Sequence, residues 1–213
     1  MRTTELERKV LEYSFARNWG HIPSALTQVE YVSRLLHLNY KRVAGKPFGA
    51  QAWYVALGVE CNSPILQAPY VDWNCQTIGH SLGYSIGLSR WYDTWLNISD
   101  AALELGDFWE ALQLWPKFVK QHLLVTVDCN GYGCKHTTPG LEILERRISA
   151  FGIDCCISKP HDIQAFSSYT GIVLVDTSET LGAELKHLGF HYTKFKDFED
   201  FNEKYCRSLA TRP

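Results

Sequence analysis

Apolar residues in the first half of the chain recur at helical spacing. Residues 4–18 carry one broad apolar stripe behind Thr4, which is a suitable N-cap, so the pattern predicts an amphipathic helix there. A Gly-His-Ile-Pro-Ser turn is predicted at 20–24. Two further helices are predicted over 27–38 and 50–60, and a loop over 62–78.

Glycine occurs at every fourth position of the segment 79–92, at Gly79, Gly83 and Gly87. This spacing places the glycines on one face of a helix and favours close packing of that face against another backbone. The alternative is a helix that its glycines weaken.

Strand and helix patterns alternate in the second half of the chain. We interpret 101–105 as a strand that ends at Gly106 and Asp107, followed by a helix over 108–121 that Pro116 bends or divides. Further strands are predicted at 122–128, 153–157 and 171–176, and further helices at 140–151, 161–168, 179–188 and 196–209. Apolar strands that alternate with helices predict a mainly parallel sheet in a three-layer α/β/α domain, here a single domain over 1–213.

Composition and charge narrow the class of protein. The 213 residues are 46% hydrophobic and 21% charged, which is typical of a globular domain. A net charge of −2 gives no electrostatic support for binding nucleic acid or a membrane. We expect no export signal, no membrane span and a cytoplasmic protein. Aromatic residues make up 13% of the chain, enough to fill the core and also to cover a partner surface.

The seven cysteines form no Cys-x-x-Cys pair, and their number is odd. Both features argue against a disulfide framework and against a structural zinc site, so reduced thiols are expected.

Two polar segments follow predicted strands and are flanked by glycine: Gly106-Asp107 and Asn130-Gly131-Tyr132. Ligands of open parallel sheets bind beyond the carboxyl ends of the strands. A carboxylate, an amide oxygen and the Tyr132 carbonyl are hard donors that suit Mg²⁺ or Ca²⁺ shared with a diphosphate. Taken alone, Asp107 is equally explained as a helix cap and Asn130 as a turn residue.

The order of motifs between residues 5 and 209 resembles the thiamine diphosphate-binding half of transketolase, and especially the short N-terminal subunit of split transketolases. The motifs are, in order, Gly20-His21-Ile22-Pro23-Ser24, Gln76-Thr77-Ile78-Gly79-His80-Ser81-Leu82-Gly83, Gly106-Asp107 with Trp109-Glu110-Ala111, Val127-Asp128-Cys129-Asn130-Gly131, Ala150-Phe151-Gly152 with Pro160-His161-Asp162-Ile163, and Phe190-His191.

The resemblance implies a site for thiamine diphosphate and Mg²⁺, or Ca²⁺. The implied metal ligands are Asp107, Asn130 and the Tyr132 carbonyl. His21 and His191 would act at the substrate. Cofactor contacts would come from Gln76, Ile78, Gly79, Gly106, Asp107, Phe108, Asn130, Gly131 and His191.

Three departures from the family pattern stand out. Phe48 occupies the position of a family histidine in the segment after Lys46. Phe108 follows Asp107 where the family has a third glycine, and a glutamate-containing segment of about seven residues is missing. The segment 62–75 is also short. These changes suggest an unusual acceptor or a weakened activity.

The resemblance also implies that the catalytic glutamate lies in a separately encoded, pyrimidine-binding C-terminal subunit, with which this chain would form an α2β2 complex. The expected activity is a transketolase-like transfer of a two-carbon ketol, or a related acyl unit, between a sugar or keto acid and an aldehyde or keto-sugar acceptor. The alternatives are a non-catalytic scaffold subunit and a subunit of a thiamine-dependent 2-keto acid decarboxylase.

Overall fold

The computed structural model describes residues 4–133 and 137–210. The nine helices of this part are α1 (Glu5–Arg17), α2 (Ile22–Leu35), α3 (Gln51–Leu57), α4 (Ser81–Leu88), α5 (Gly106–Leu112), α6 (Trp115–Phe118), α7 (Leu141–Ser149), α8 (Leu181–His187) and α9 (Phe198–Ala210). The six strands are β1 (Lys41–Ala44), β2 (Trp73–Asn74), β3 (Thr94–Ser99), β4 (Leu123–Cys129), β5 (Cys155–Ser158) and β6 (Gly171–Asp176). Two 3₁₀-helices cover Asp100–Glu104 and Pro160–Phe166.

The strands form one parallel sheet in the order β2-β1-β3-β4-β6-β5. All seven residues of β4 are buried, as expected for a central strand covered on both faces. The predicted α/β class and three-layer architecture are confirmed.

Alternate side chains of the strands belong to two separate hydrophobic cores, one on each face of the sheet. Helices α1, α2, α3, α8 and α9 pack on one face, where Trp95, Leu124 and Val173 point. Helices α4 to α7 pack on the other face, against residues such as Leu96 and Val125. Because successive side chains of a strand point to opposite faces, one apolar strand supplies both cores.

The first two helices begin with recognisable signals. Thr4 and Glu7 form a reciprocal capping box at the start of α1, which confirms the predicted cap. Helix α2 begins at Ile22 rather than at Thr27. Pro23 lies in its first turn, where a missing N–H has no intrahelical partner to lose, so the predicted turn is shorter than expected.

The predicted strand 101–105 is wrong. The strand is β3, which ends at Ser99, and Asp100–Glu104 is a 3₁₀-helix. Strand β3 was missed because it carries Asn97, whose side chain is buried. Asn97 is satisfied by Tyr31, whose hydroxyl donates to Oδ1 at 2.9 Å, and by Gln28, whose Oε1 accepts from Nδ2 at 2.8 Å.

The close packing predicted for the glycine face of 79–92 is also wrong. A Cβ at Gly87 would meet nothing within 4 Å, and one at Gly83 would meet only the Ala111 side chain at 3.9 Å. The close backbone approach occurs instead at Gly182 in α8, where a Cβ would lie 2.4 Å from the Pro23 carbonyl oxygen.

The remaining predictions differ from the structure mainly at boundaries. Pro116 divides the helix predicted over 108–121, since α5 ends at Leu112 and α6 begins at Trp115. The predicted loop 62–78 contains the two-residue strand β2, and β1 was not predicted. Within the described residues, no helix combines the length and the apolar character needed to cross a bilayer. Each cysteine in this part of the chain is free.

Candidate functional site

The strand order of the sheet reverses between β1 and β3, which forms a topological switch point. Strand β1 leads to β2 on one side, whereas β3 leads to β4 on the other, and β1 and β3 are neighbours. Parallel sheets bind ligands in the crevice beyond the carboxyl ends of such strands.

A cavity of about 340 Å³ opens at this crevice. It is lined by the segment 45–48 after β1, by Ser99 and Ala101 at the end of β3, and by Tyr132 and Gly133 after β4. The other lining residues are His21, Ser24, Gln76, Ile78, Lys186, His191 and Tyr192.

Asp100 lies at the carboxyl end of β3, between the lining residues Ser99 and Ala101, and only 1% of its surface is exposed. Its Oδ2 accepts hydrogen bonds from the Gly131 amide at 3.0 Å and from the Thr138 hydroxyl at 2.9 Å. The carboxylate therefore joins the ends of two neighbouring strands.

Asn130 is fully buried at the end of β4. Its Oδ1 accepts from the Tyr132 amide at 3.2 Å, and its Nδ2 donates to the Asp128 carbonyl at 3.4 Å. These contacts hold the turn that brings Gly131 to Asp100 and Tyr132 to the cavity.

Burial raises the pKa of Asp100 to about 6, and the neighbouring charge of Asp128 acts in the same direction. Lys186 and Lys46 oppose this shift less strongly. A desolvated carboxylate of this kind gains more from a nearby cation than an exposed one does.

A buried ion pair lies behind the cavity. Lys46 contacts Asp128, and both side chains are almost fully buried. Thr27 donates to Oδ2 of the same carboxylate at 2.6 Å, and Thr177 donates to its Oδ1. Burial by itself would raise the pKa of Asp128, but Lys46, Lys186 and the hydroxyl donors lower it below its usual value.

His21 precedes α2 in a left-handed conformation, with φ of 56°. This region is uncommon for residues other than glycine and costs on the order of 1–3 kcal/mol. The ring stacks on Phe48 with a centroid separation of 5.2 Å and meets the His191 ring edge-on at 5.4 Å. The backbone strain thus accompanies an imidazole that lines the cavity.

The two histidines are held in the neutral form. Burial lowers the pKa of His191 to about 4, with smaller contributions from Lys186, His21 and Lys46. Burial also lowers the pKa of His21, again with Lys186 and Lys46 contributing. Nδ1 of His191 is buried and has no hydrogen-bond partner in the described part of the protein. A neutral imidazole can donate and accept one hydrogen bond each.

The structure brings most of the expected site residues together. His21, Gln76, Ile78, Tyr132 and His191 all line the cavity. Asn130 and Gly131, after β4, lie next to the cavity lining. Asn130 contacts the lining residue Tyr132, and Gly131 contacts Asp100.

The residues expected around Asp107 are placed elsewhere. Asp107 is half-exposed in the first turn of α5 and pairs with His80 on the surface. Phe108 is fully buried in a hydrophobic core. Gly106 and Gly79 are likewise absent from the cavity lining.

A different aspartate directly follows β3, seven positions before Asp107. Asp100 thus has the position at the end of a strand that was expected of Asp107. It lies 30 residues before Asn130, seven more than Asp107 does. Ala101, rather than Phe108, follows the aspartate.

Sequence reasoning also missed Lys46 and Lys186 as cavity residues. Lys46 was given no role beside Phe48 in the family segment, and Lys186 was only part of the helix predicted over 179–188. The available signal was the small residue on each side of Asp100, since Ser99-Asp100-Ala101 leaves space at a strand end.

The donor set fits a divalent cation that shares its ligands with an anion. No three His, Cys, Asp or Glu side chains of residues 4–133 and 137–210 form a metal-binding group. Asp100, Asn130 and the Tyr132 carbonyl offer oxygen donors from the ends of two strands. Mg²⁺ is commonly held by one or two carboxylates together with phosphate oxygens and water.

Comparison with known proteins identifies the architecture. No family model matches the sequence, and no curated protein matches it. Among solved structures, the transketolase from Leishmania mexicana is similar, with a TM-score of 0.59 and 13% sequence identity. The similarity covers 82% of this chain and 37% of the transketolase chain. The chain therefore has a transketolase-like α/β fold.

Proposed function

We propose that the cavity at the carboxyl ends of β1, β3 and β4 binds thiamine diphosphate with Mg²⁺ or Ca²⁺. The observation that carries the proposal is the convergence of Asp100, Asn130 and Tyr132 at the switch point of a transketolase-like sheet. In this proposal Asp100 takes the metal-binding role first expected of Asp107.

The charges around the cavity support a diphosphate ligand. Lys46 and Lys186 line it and are at least nine-tenths buried, and Lys46 already pairs with Asp128. A metal at Asp100 would add further positive charge, and a diphosphate would bridge the metal and the lysines. Gln76 and Ile78 would contact the remainder of the cofactor from the opposite wall.

Thiamine diphosphate supplies the stabilised carbanion chemistry with which such enzymes break and form carbon–carbon bonds next to a carbonyl. The protein residues would bind and orient the substrate. His21 and His191, both neutral because their pKa values are lowered, would hydrogen-bond substrate oxygens. Nδ1 of His191 is available for such a bond.

The activity we propose is a transketolase-like transfer of a two-carbon ketol, or a related acyl unit, to an aldehyde acceptor. The similarity covers 37% of the Leishmania transketolase chain. We propose that a separately encoded, pyrimidine-binding subunit completes the site in an α2β2 complex. Tyr192 lines the cavity, is more than half exposed and supplies aromatic surface for such a partner.

Calorimetric titration of the full chain with thiamine diphosphate in the presence and absence of Mg²⁺ tests the proposal. Binding should require Mg²⁺, and thiamine monophosphate should bind more weakly. Asp100→Asn should reduce the affinity by about tenfold or more, because it removes the carboxylate that is proposed to bind the metal. Asp107→Asn is the matched control and should bind like the wild type. Absence of Mg²⁺-dependent binding, or equal effects of the two variants, would overturn the proposal.

A non-catalytic scaffold subunit is the second candidate. The observation that favours it is Phe48, which stacks on His21 and adds no polar group to the cavity. If the protein is a scaffold, its Asp100→Asn variant should raise the stability or activity of the partner as much as the wild type does. A subunit that contributes the metal site would lose that effect together with cofactor affinity.

A further inference from the structure

A second cavity of about 320 Å³ adjoins the first one. It shares His21, Phe48 and Tyr192 with the first cavity and extends in the other direction. Its remaining lining residues are Asn18, Trp19, Gly20, Pro64, Ile65 and Lys194. We call it the outer cavity, and the first one the inner cavity.

The residues shared by the two cavities are packed rings. His21 lies nearly parallel to Phe48, at an interplanar angle of 22°, and meets Tyr192 edge-on with centroids 5.0 Å apart. The absence of a side chain at Gly20 lets the backbone of Tyr192 lie close to it, since a Cβ there would come within 3.0 Å of the Tyr192 carbonyl oxygen. A molecule in the outer cavity would therefore contact the same imidazole that lines the inner cavity.

The lining of the outer cavity is mainly apolar. Trp19, Phe48, Pro64, Ile65 and Tyr192 provide ring faces and aliphatic surface. Apart from backbone groups, hydrogen bonding is offered by Asn18, Trp19, His21, Tyr192 and Lys194. Hydroxyl groups of a polyhydroxylated chain that faced the apolar part of the lining would be buried without partners, which is unfavourable.

The charge of the outer cavity has one sign. Lys194 is the one lining residue with a charged side chain at neutral pH, and no carboxylate is among the residues that line the cavity. Across the described residues, Lys194 forms no ion pair, and its side chain is exposed. An anionic group at that end of the cavity would be attracted without displacing a partner.

We propose that the outer cavity is the acceptor site and that it selects an aldehyde with a compact apolar ring and an anionic substituent. The substituent would lie near Lys194, the ring between Trp19 and Phe48, and the carbonyl next to His21. The volume is at the lower end of the range for small-molecule sites, which suits a single ring. The assignment as an acceptor site rests on the proposed function, but the selectivity of the cavity does not.

Equilibrium binding of 4-formylbenzoate to the full chain without cofactor tests this selectivity, with benzaldehyde and ribose 5-phosphate as comparison probes. 4-Formylbenzoate should bind more tightly than either of them. Lys194→Met should weaken its binding about fivefold, the effect of losing one partly exposed charge pair, and should leave benzaldehyde unaffected. Phe48→Leu should weaken both aromatic probes.

Lys120→Met is the matched charge control, since Lys120 is exposed and precedes β4, at the amino ends of the strands and away from both cavities. Equal effects of the two lysine variants, tighter binding of ribose 5-phosphate, or no saturable binding of 4-formylbenzoate would overturn the inference. Titration with thiamine diphosphate separates this result from the proposed function. Loss of cofactor binding with retained selectivity for 4-formylbenzoate would refute the proposed function alone.

Discussion

The amide N–H of Gly131 donates a hydrogen bond of 3.0 Å to Oδ2 of Asp100, which lies 31 residues earlier in the chain. This contact connects the carboxyl ends of β3 and β4 and places a buried carboxylate behind the inner cavity. Its geometry explains why Asp100, rather than the surface residue Asp107, is the candidate metal ligand.

Asp100→Asn should stabilise the protein in the absence of metal. Burial raises the pKa of Asp100 to about 6 from 3.8, so the ionised carboxylate opposes folding by up to about 3 kcal/mol at pH 8. The folded state binds the proton more tightly, so this group makes the stability fall as pH rises from about 4 to 6. The difference in unfolding free energy between variant and wild type, measured by urea denaturation, should grow across that range.

Mg²⁺ with thiamine diphosphate should reverse the order of stability. At pH 8 the ligands should raise the melting temperature of the wild type and leave that of the Asp100→Asn variant nearly unchanged. A variant that is less stable than the wild type at pH 8 without metal would contradict the assigned cost of the charge.

His191 should make the protein less stable in acid. Its pKa is lowered to about 4 from 6.5, chiefly by burial, so the neutral form is favoured in the folded state. The corresponding stability is fully present above pH 6.5 and is lost as pH falls towards 4. His191→Gln removes this titration, so the variant should lose less stability than the wild type between pH 7 and 4.5. Parallel stability profiles of the two proteins would rule the effect out.

Lys46→Met should destabilise the protein strongly. It leaves Asp128 as an uncompensated buried charge, which typically costs about 3–5 kcal/mol. The second substitution Asp128→Asn should recover part of this loss. Lys41→Met is the control, because Lys41 pairs with Asp72 on the surface and its removal should have little measurable effect. Urea denaturation of the four proteins would measure these differences, and equal losses for the two lysine variants would contradict the prediction.

Two glycine substitutions should have opposite effects. In Gly182→Ala the added Cβ would approach the Pro23 carbonyl oxygen and the Thr27 amide within 2.7 Å or less, so α8 must move away from α2 at a cost of about 1–3 kcal/mol. Gly87→Ala meets no atom within 4 Å and should stabilise α4 by up to about 1 kcal/mol. Thermal unfolding would measure both effects, and destabilisation by Gly87→Ala would show that the glycine face of α4 is packed after all.

The class of fold follows from the local sequence pattern alone. Strand β6 was predicted with its observed boundaries and β4 within one residue, because an uninterrupted run of apolar and β-branched residues is typical of a strand buried on both faces. The same local signals identified Thr4 as a cap and Pro116 as a division between helices. The sequence also placed Asn130 correctly at the carboxyl end of a strand, directly after β4.

The position at which β3 ends depends on tertiary contacts. The buried polar residue Asn97 interrupts the apolar pattern of that strand, and its hydrogen-bond partners Tyr31 and Gln28 come from a distant helix. Without them the apolar run 101–105 was the better strand candidate, which led to Asp107 as the expected metal ligand. Burial, and with it the pKa of Asp100 and the pairing of Lys46, depends on contacts between residues far apart in sequence, which a local pattern does not contain.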